Sequence, residues 1–192
     1  MNPSVRSTLR EARQDYFNVN ALGDGGYDDR WVVLWAGPIP LVFPNSRSRV
    51  AALRLHDCHH PLTGYATSWL GETEIAAWEI ASGCARFLAA WILNLYAMGL
   101  GLVLGPKRAL RAWMRGQIST NLYHRGLDEP TLDRIVETLR EEFGLLDEPP
   151  TPTLKDRFRW LAWSVTGLVL LLVSWTGPTL LLVWLFLPWL RG

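Results

Sequence analysis

Three of the chain's four histidines fall within five residues, in the run His56-Asp57-Cys58-His59-His60. On a helix, His56 and His60 are one turn apart and project from one face, the spacing by which helical two-histidine motifs hold a metal ion. Asp57 lies beside His56 and three residues before His60, so its carboxylate can reach the same point. Glu72 follows twelve residues after His60. Pro61 and Gly64 can reverse the chain in between and bring Glu72 back, on the first turn of a second helix, to the two imidazoles. Two imidazoles and two carboxylates suit one borderline divalent ion: zinc, iron(II) or manganese. Buried together without a cation, the same groups would repel one another or lose their solvation uncompensated.

Simpler readings exist for each residue. Adjacent histidines can form a solvated helix end, where the helix dipole favours them. His59, three residues after His56, competes with His60 for the site. Cys58 points away from the histidine face and reads as a small packed residue. His124 stands alone in Leu122-Tyr123-His124-Arg125-Gly126 and fits a surface or capping role.

The elements that must position these side chains read as helices. Arg6 to Phe17 can form a short one. Trp31 to Trp35 is apolar, and Pro38, Pro40 and Pro44 keep the following stretch extended. Asn45 or Ser46 can cap a helix from about Arg47 to His60, which Pro61 should end. A second helix, capped by Thr67 or Ser68, is expected to run to about Gly105 and to end in the charge-free stretch Phe87 to Gly105. That stretch reads as a buried core helix, although it is long enough for a membrane span. Pro106 opens a third helix, with a basic stripe of Lys107, Arg111 and Arg115 and Arg108 beside it. The stripe reads as a solvated face that could also meet phosphate head groups. A fourth helix is expected from Asp128 to Gly144, with Leu132, Ile135, Val136, Leu139 and Phe143 on one face.

These signals give an all-α fold: one helical metal-binding domain over residues 1–146, a linker over 147–159, and a hydrophobic membrane segment over 160–190. Trp160 to Leu190 carries no charged side chain. As one helix it would be about 46 Å long, against a hydrocarbon core of about 30 Å. Gly177-Pro178 should break or kink it, giving a kinked, tilted span in preference to a re-entrant hairpin. Tryptophan favours membrane interfaces, and Trp160, Trp163, Trp175, Trp184 and Trp189 all lie in this tail. Lys155, Arg157 and Arg159 precede it and hold the domain on the cytoplasmic side. Residues 1–20 have no apolar core, and Glu11 and Asp15 interrupt their arginines, so neither a secretory signal nor a transit peptide is expected. A prokaryotic inner membrane is the simplest location. The net charge of +1 argues against a nucleic-acid binder, and two cysteines make no disulfide framework.

The spacing His56-Asp57-x-x-His60, eleven residues, then Glu72 resembles the signature H-D-x-x-H-x11-E of the ubiquinone (coenzyme Q) biosynthesis protein 4 family. Leu62-Thr63-Gly64, Gly71-Glu72 and Ala77-Trp78-Glu79 resemble its flanks. Met114-Arg115-Gly116 and Leu139-Arg140-Glu141-Glu142 are more weakly similar to its C-terminal half, so the likeness covers roughly residues 45–146. It departs from the family pattern at His59, where a large residue is common, at Pro61, and in the charge-free tail. The resemblance implies a helical, membrane-associated protein. It implies one divalent ion at His56, Asp57, His60 and Glu72, most often taken as zinc, with iron or manganese as the alternatives. It implies a prenylated quinone precursor or other isoprenoid lipid as ligand, with Phe87 to Leu104 as a wall for the isoprenoid tail. It further implies removal of the ring C1 carboxyl with oxidation there, and company with other quinone-biosynthesis enzymes. The alternative function is a non-catalytic quinone- or lipid-binding scaffold. A helical phosphohydrolase would need more histidines than His124 can supply.

Overall fold

The computed structural model describes residues 7–36 and 39–190, with the backbone alone for 34–36, 39–41, 175 and 177–190. The fold is all-α with one small hairpin. Helix α1 (Leu9–Val19) opens it, closed by a reciprocal capping box between Thr8 and Glu11. Arg6, expected to start this helix, lies outside the described residues. Strands β1 (Trp31–Ala36) and β2 (Ile39–Pro44) pair antiparallel, with Trp31 opposite Pro44 and Ala36 opposite Ile39. The prolines expected to keep this stretch extended do so at Pro40 and Pro44, while Pro38 lies outside the described residues.

Helix α2 (Arg47–Thr63) carries the histidine run and is capped by Ser46. It does not end before Pro61, as expected from the sequence, but continues to Thr63 and closes at Gly64, whose φ is +80°. Proline removes one helical hydrogen bond, and the end carbonyls need other donors. Arginines supply them: Arg140 donates to the Pro61 and Leu62 carbonyls, each at 2.9 Å, and Arg115 to the Thr63 carbonyl at 2.8 Å. Cationic donors at a helix C-terminus also complement its dipole.

The long second helix is two helices, α3 (Trp69–Ser82, capped by Ser68) and α4 (Leu88–Leu104). Positive φ at Gly83 and Ala85 breaks the run between them. Helix α5 (Pro106–Gln117) matches expectation. Three of its four basic side chains are engaged within the protein. Arg108 forks onto Glu74 at 2.9 and 2.6 Å, Arg111 pairs with Glu148, and Arg115 also donates to the Leu145 carbonyl.

A short turn, α6 (Leu122–Arg125), follows. The expected fourth helix is split into α7 (Glu129–Leu132) and α8 (Val136–Glu142). Ile135 is extended between them because it pairs with Thr8, and the Leu9 and Val136 amides bond to Arg134 and Ser7. Residues 147–153 form no regular element. Helix α9 (Leu154–Leu190) then runs unbroken through Gly177-Pro178, so the hairpin alternative does not form.

The core gathers Trp78, Leu62, Ile75, Met98, Leu122 and Leu139, all fully buried, where α2 and α3 meet α4, α5, α6 and α8. Helix α4 is buried on one side only, at Ala90, Asn94, Leu95, Met98, Gly99 and Gly101. The stretch Leu154–Ser174 of α9 is long and apolar enough to cross a membrane.

Candidate metal centre

Helix α2 presents His56 and His60 on one face, and the first turn of α3 presents Glu72 to them. The Nε2 atoms of His56 and His60 are 3.2 Å apart. The Glu72 carboxylate stands 3.5 Å from His56 Nε2 and 3.4 Å from His60 Nε2. Donors bound about 2.0–2.1 Å from one tetrahedral ion stand about 3.3–3.4 Å apart. The two distances run to different Glu72 oxygens, Oε2 facing His56 and Oε1 facing His60. One ligand atom from each residue lies within 4.8 Å of the others, so His56, His60 and Glu72 could hold a metal ion.

Both outer ring nitrogens are held. His60 Nδ1 donates to the Tyr65 carbonyl at 2.9 Å, and His56 Nδ1 donates to Glu79 Oε1 at 2.8 Å. A proton fixed on Nδ1 leaves Nε2 to face the shared point, the usual support for a metal-binding histidine. Tyr16 stacks on the His60 ring, with centroids 4.8 Å apart, and fixes its plane from α1. The side chain of Glu72 keeps 33% of its surface, so the centre opens to solvent on the Glu72 side.

Glu79 is the residue that the sequence reading left in the motif's flank. It is fully buried, and its carboxylate accepts from four side chains. Oε1 takes the Nδ1–H groups of His56 and His59, the latter at 2.6 Å. Oε2 takes the Tyr123 hydroxyl at 2.8 Å and the Asn94 amide. Burial alone would raise its pKa, but His56 and His59 outweigh burial and hold it well below the usual carboxylate range. The same pairing acts on His56. Burial would lower its pKa, yet Glu79 and Glu72 together raise it well above the ordinary histidine value. Burial and the neighbouring His56 push His60 down to about 4. In the metal-free protein, a proton on His56 Nε2 therefore points at the neutral His60 Nε2. A divalent ion would take that proton's place.

Asp57 and His59 have other partners. The Asp57 carboxylate accepts from the Tyr27 hydroxyl at 2.6 Å, a contact from a loop thirty residues upstream. The compact donor group comprises His56, His60 and Glu72. His59 has both ring nitrogens engaged, Nδ1 by Glu79 and Nε2 by the Leu122 amide at 3.1 Å, and it stacks edge-on against Trp78 and Tyr123. It thus fills a large-residue position in the core. Cys58 is packed, with burial pushing its thiol up to about 12. His124 is exposed and contacts the Ser82 carbonyl. The cleft beside Tyr27 is polar, lined by Asp28, Asp29, Arg30, Arg47 and Arg54.

Burial raises the Asp57 pKa from 3.8 to about 6. A carboxylate whose folded pKa is raised adds stability below its unfolded pKa and loses it as pH rises through the folded value. Asp57→Asn keeps an acceptor for Tyr27 without the charge. In metal-free protein it is expected to gain roughly 2–3 kcal/mol over wild type between pH 4 and pH 7. Urea unfolding in detergent with a chelator, at both pH values, measures this; a pH-independent difference would exclude a buried Asp57 charge.

Comparison with protein-family models, with curated proteins and with solved structures finds no match to this chain, so the functional reading rests on the centre itself and on the motif's resemblance.

Proposed function

We propose that the chain is a metal-dependent protein of ubiquinone biosynthesis that acts on a prenylated aromatic acid at the membrane, removing the ring C1 carboxyl with oxidation at that carbon. One observation supports the reading: one ligand atom from each of His56, His60 and Glu72 lies within 4.8 Å of the others, with each outer imidazole nitrogen already held. Such a donor set accepts zinc, the ion implied by the resemblance, and equally iron(II) or manganese. The bound ion would polarise the ring carboxylate or phenolate and stabilise developing charge. Zinc has no redox chemistry, so the oxidative step requires iron, manganese or dioxygen acting on an activated substrate.

The chain's own residues define the rest. Glu79 and the Tyr65 carbonyl hold the imidazoles, Tyr16 covers His60, and the side of Glu72 is left open for a ligand. The Tyr27 hydroxyl bonds one Asp57 oxygen, so on this reading His56, His60 and Glu72 would be the protein donors and a coordination position would be left for a ligand. A free position favours catalysis. A closed centre with Asp57 as fourth ligand would favour the scaffold reading, in which the protein presents a quinone intermediate to other biosynthetic enzymes. Lys155, Arg157 and Arg159 at the start of α9 orient the domain to the cytoplasmic face of a prokaryotic inner membrane.

The test is turnover. Full-length protein in detergent, loaded in turn with zinc, iron(II) or manganese, is incubated in air with a prenylated 4-hydroxybenzoate. Release of the carboxyl carbon is expected with at least one metal and is expected to vanish in Glu72→Ala. An unchanged acid with every metal rules out catalysis, and quinone binding in that same preparation would establish the scaffold.

A further inference from the structure

The loop between α2 and α3 touches both arms of the candidate centre. The Tyr65 carbonyl accepts from His60 Nδ1 at 2.9 Å. One residue on, the Ala66 backbone lies against Gly71, close enough that a Cβ on Gly71 would stand 2.0 Å from the Ala66 oxygen, and Glu72 follows directly. A shift of this loop therefore reaches an imidazole on one side and the Glu72 carboxylate on the other.

Little within the loop holds it there. Gly64 closes α2 with φ +80°, its amide returning to the His60 carbonyl at 2.8 Å. Residues 64–66 then belong to no regular element, and the Tyr65 amide meets the Thr63 hydroxyl at a long 3.4 Å. Fixing irregular backbone costs conformational entropy, so contacts from outside the loop must hold it.

Arg115 supplies them from α5. Its Nη1 donates to the Thr63 carbonyl and its Nη2 to the Leu145 carbonyl, each at 2.8 Å. The guanidinium carbon lies over the Tyr65 ring, 5.5 Å from its centroid. The edge of the group thus bonds to the residue before Gly64 while its face covers the residue after it. A planar, forked guanidinium can do both, and an ammonium cannot. Arg115 also stands on firm ground: at the next residue, a Cβ on Gly116 would lie 2.4 Å from the Trp78 oxygen, so α5 is seated directly on the backbone of α3.

We propose that Arg115 is a positioning residue of the centre. It clamps the loop on both sides of Gly64, and so keeps the Tyr65 carbonyl on His60 Nδ1 and the start of α3 in place beside it. This rests on reading His56, His60 and Glu72 as a metal centre. A mere helix cap would act differently, and Arg140 provides the comparison. It bonds to the same helix end, at the Pro61 and Leu62 carbonyls, one step short of the loop.

Arg115→Lys and Arg140→Lys, in the full chain in detergent, separate the two roles. The first measurement uses metal-free protein with isotopically labelled histidine. The exchange-protected Nδ1–H signal of His60, identified by its absence in His60→Ala, is expected to vanish in Arg115→Lys and to persist in Arg140→Lys. Tyr65→Ala removes the ring from the clamp while leaving the carbonyl, and is expected to lose the same signal. The second measurement is zinc titration. Affinity is expected to fall about tenfold in Arg115→Lys, as when a ligand's outer support is lost. It is expected to stay within about twofold of wild type in Arg140→Lys, which shares no partner with the loop. A His60 signal that survives in both Arg115→Lys and Tyr65→Ala overturns the proposal. So does an equal loss of affinity in the two lysine variants, which would mean that only the capping of α2 matters. A wild type that binds no zinc overturns the metal reading itself; wild-type binding that is unchanged in Arg115→Lys overturns the role of Arg115 alone.

Discussion

Replacing Glu79 with alanine is expected to cost about 3–5 kcal/mol of stability, the range for removing one partner from a buried charge pair, out of a total of about 5–15 kcal/mol. The substitution leaves His56, His59, Asn94 and Tyr123 with buried donors and no acceptor. It also removes the one anion that offsets charge on His56 from behind. Glu79→Gln separates folding from metal binding. It keeps the volume and one acceptor, but its NH2 replaces an oxygen that accepted from Tyr123 or the two histidines, and His56 loses its anionic partner. Metal affinity is expected to fall about 10–100-fold in a protein that still folds, the usual loss when a ligand's outer partner is changed. Because the pKa of Glu79 is depressed in the folded state, its contribution is present above the unfolded value of 4.5 and declines as pH falls below it. Denaturant midpoints of both variants, read from pH 7 to pH 4 with a chelator, and titration of the Gln variant with zinc measure these effects. Wild-type affinity and stability in both would show that Glu79 merely fills space.

The second large effect is expected at a residue with no side chain. Gly71 precedes Glu72 in the first turn of α3, and a Cβ there would stand 2.0 Å from the Ala66 oxygen, 2.7 Å from its carbonyl carbon and 2.9 Å from its nitrogen. All three are backbone atoms, so no side chain can swing away. Gly71→Ala must push the start of α3 from the preceding loop. Overpacking of this kind costs about 1–3 kcal/mol. The consequence for the centre is larger, because a metal site needs its donors within about 0.5 Å of the productive geometry and Glu72 moves with its helix. Loss of at least tenfold in metal affinity is expected with His56, His60 and Glu72 all intact. Isothermal titration of the variant beside wild type checks it; unchanged affinity would mean that the loop yields and Glu72 stays in place.

The cluster of His56, His60 and Glu72, which could hold a metal ion, was legible because its spacing is local: one helical turn relates His56 to His60, and a short loop returns Glu72. The helix starts at Thr8, Ser46, Ser68 and Pro106 follow from nearby side chains, and all but Thr8 were read. What was missed depends on contacts remote in sequence. Pro61 does not end α2 because Arg140 and Arg115 bond to the last carbonyls. The fourth helix splits because Ile135 pairs with Thr8, more than a hundred residues away. The bond from Tyr27 to Asp57 joins residues thirty apart, and Glu79 becomes a hub only when α2, α4 and α6 converge on it. One signal for the hub was present: Glu79 lies seven residues after Glu72, two turns on the same face of α3, in a helix otherwise apolar around it. The break between α3 and α4 was also marked, by Gly83, but the apolar run on both sides masked it.

The most direct measurement is metal content by plasma mass spectrometry on the full chain purified in detergent, comparing wild type with His60→Ala, Glu72→Ala and His59→Phe. One divalent ion per chain is expected in wild type and His59→Phe, and less than a tenth of that in His60→Ala and Glu72→Ala with helicity unchanged. A metal-free wild type, or His60→Ala and Glu72→Ala that keep a full complement, would contradict the assignment of His56, His60 and Glu72 as one centre.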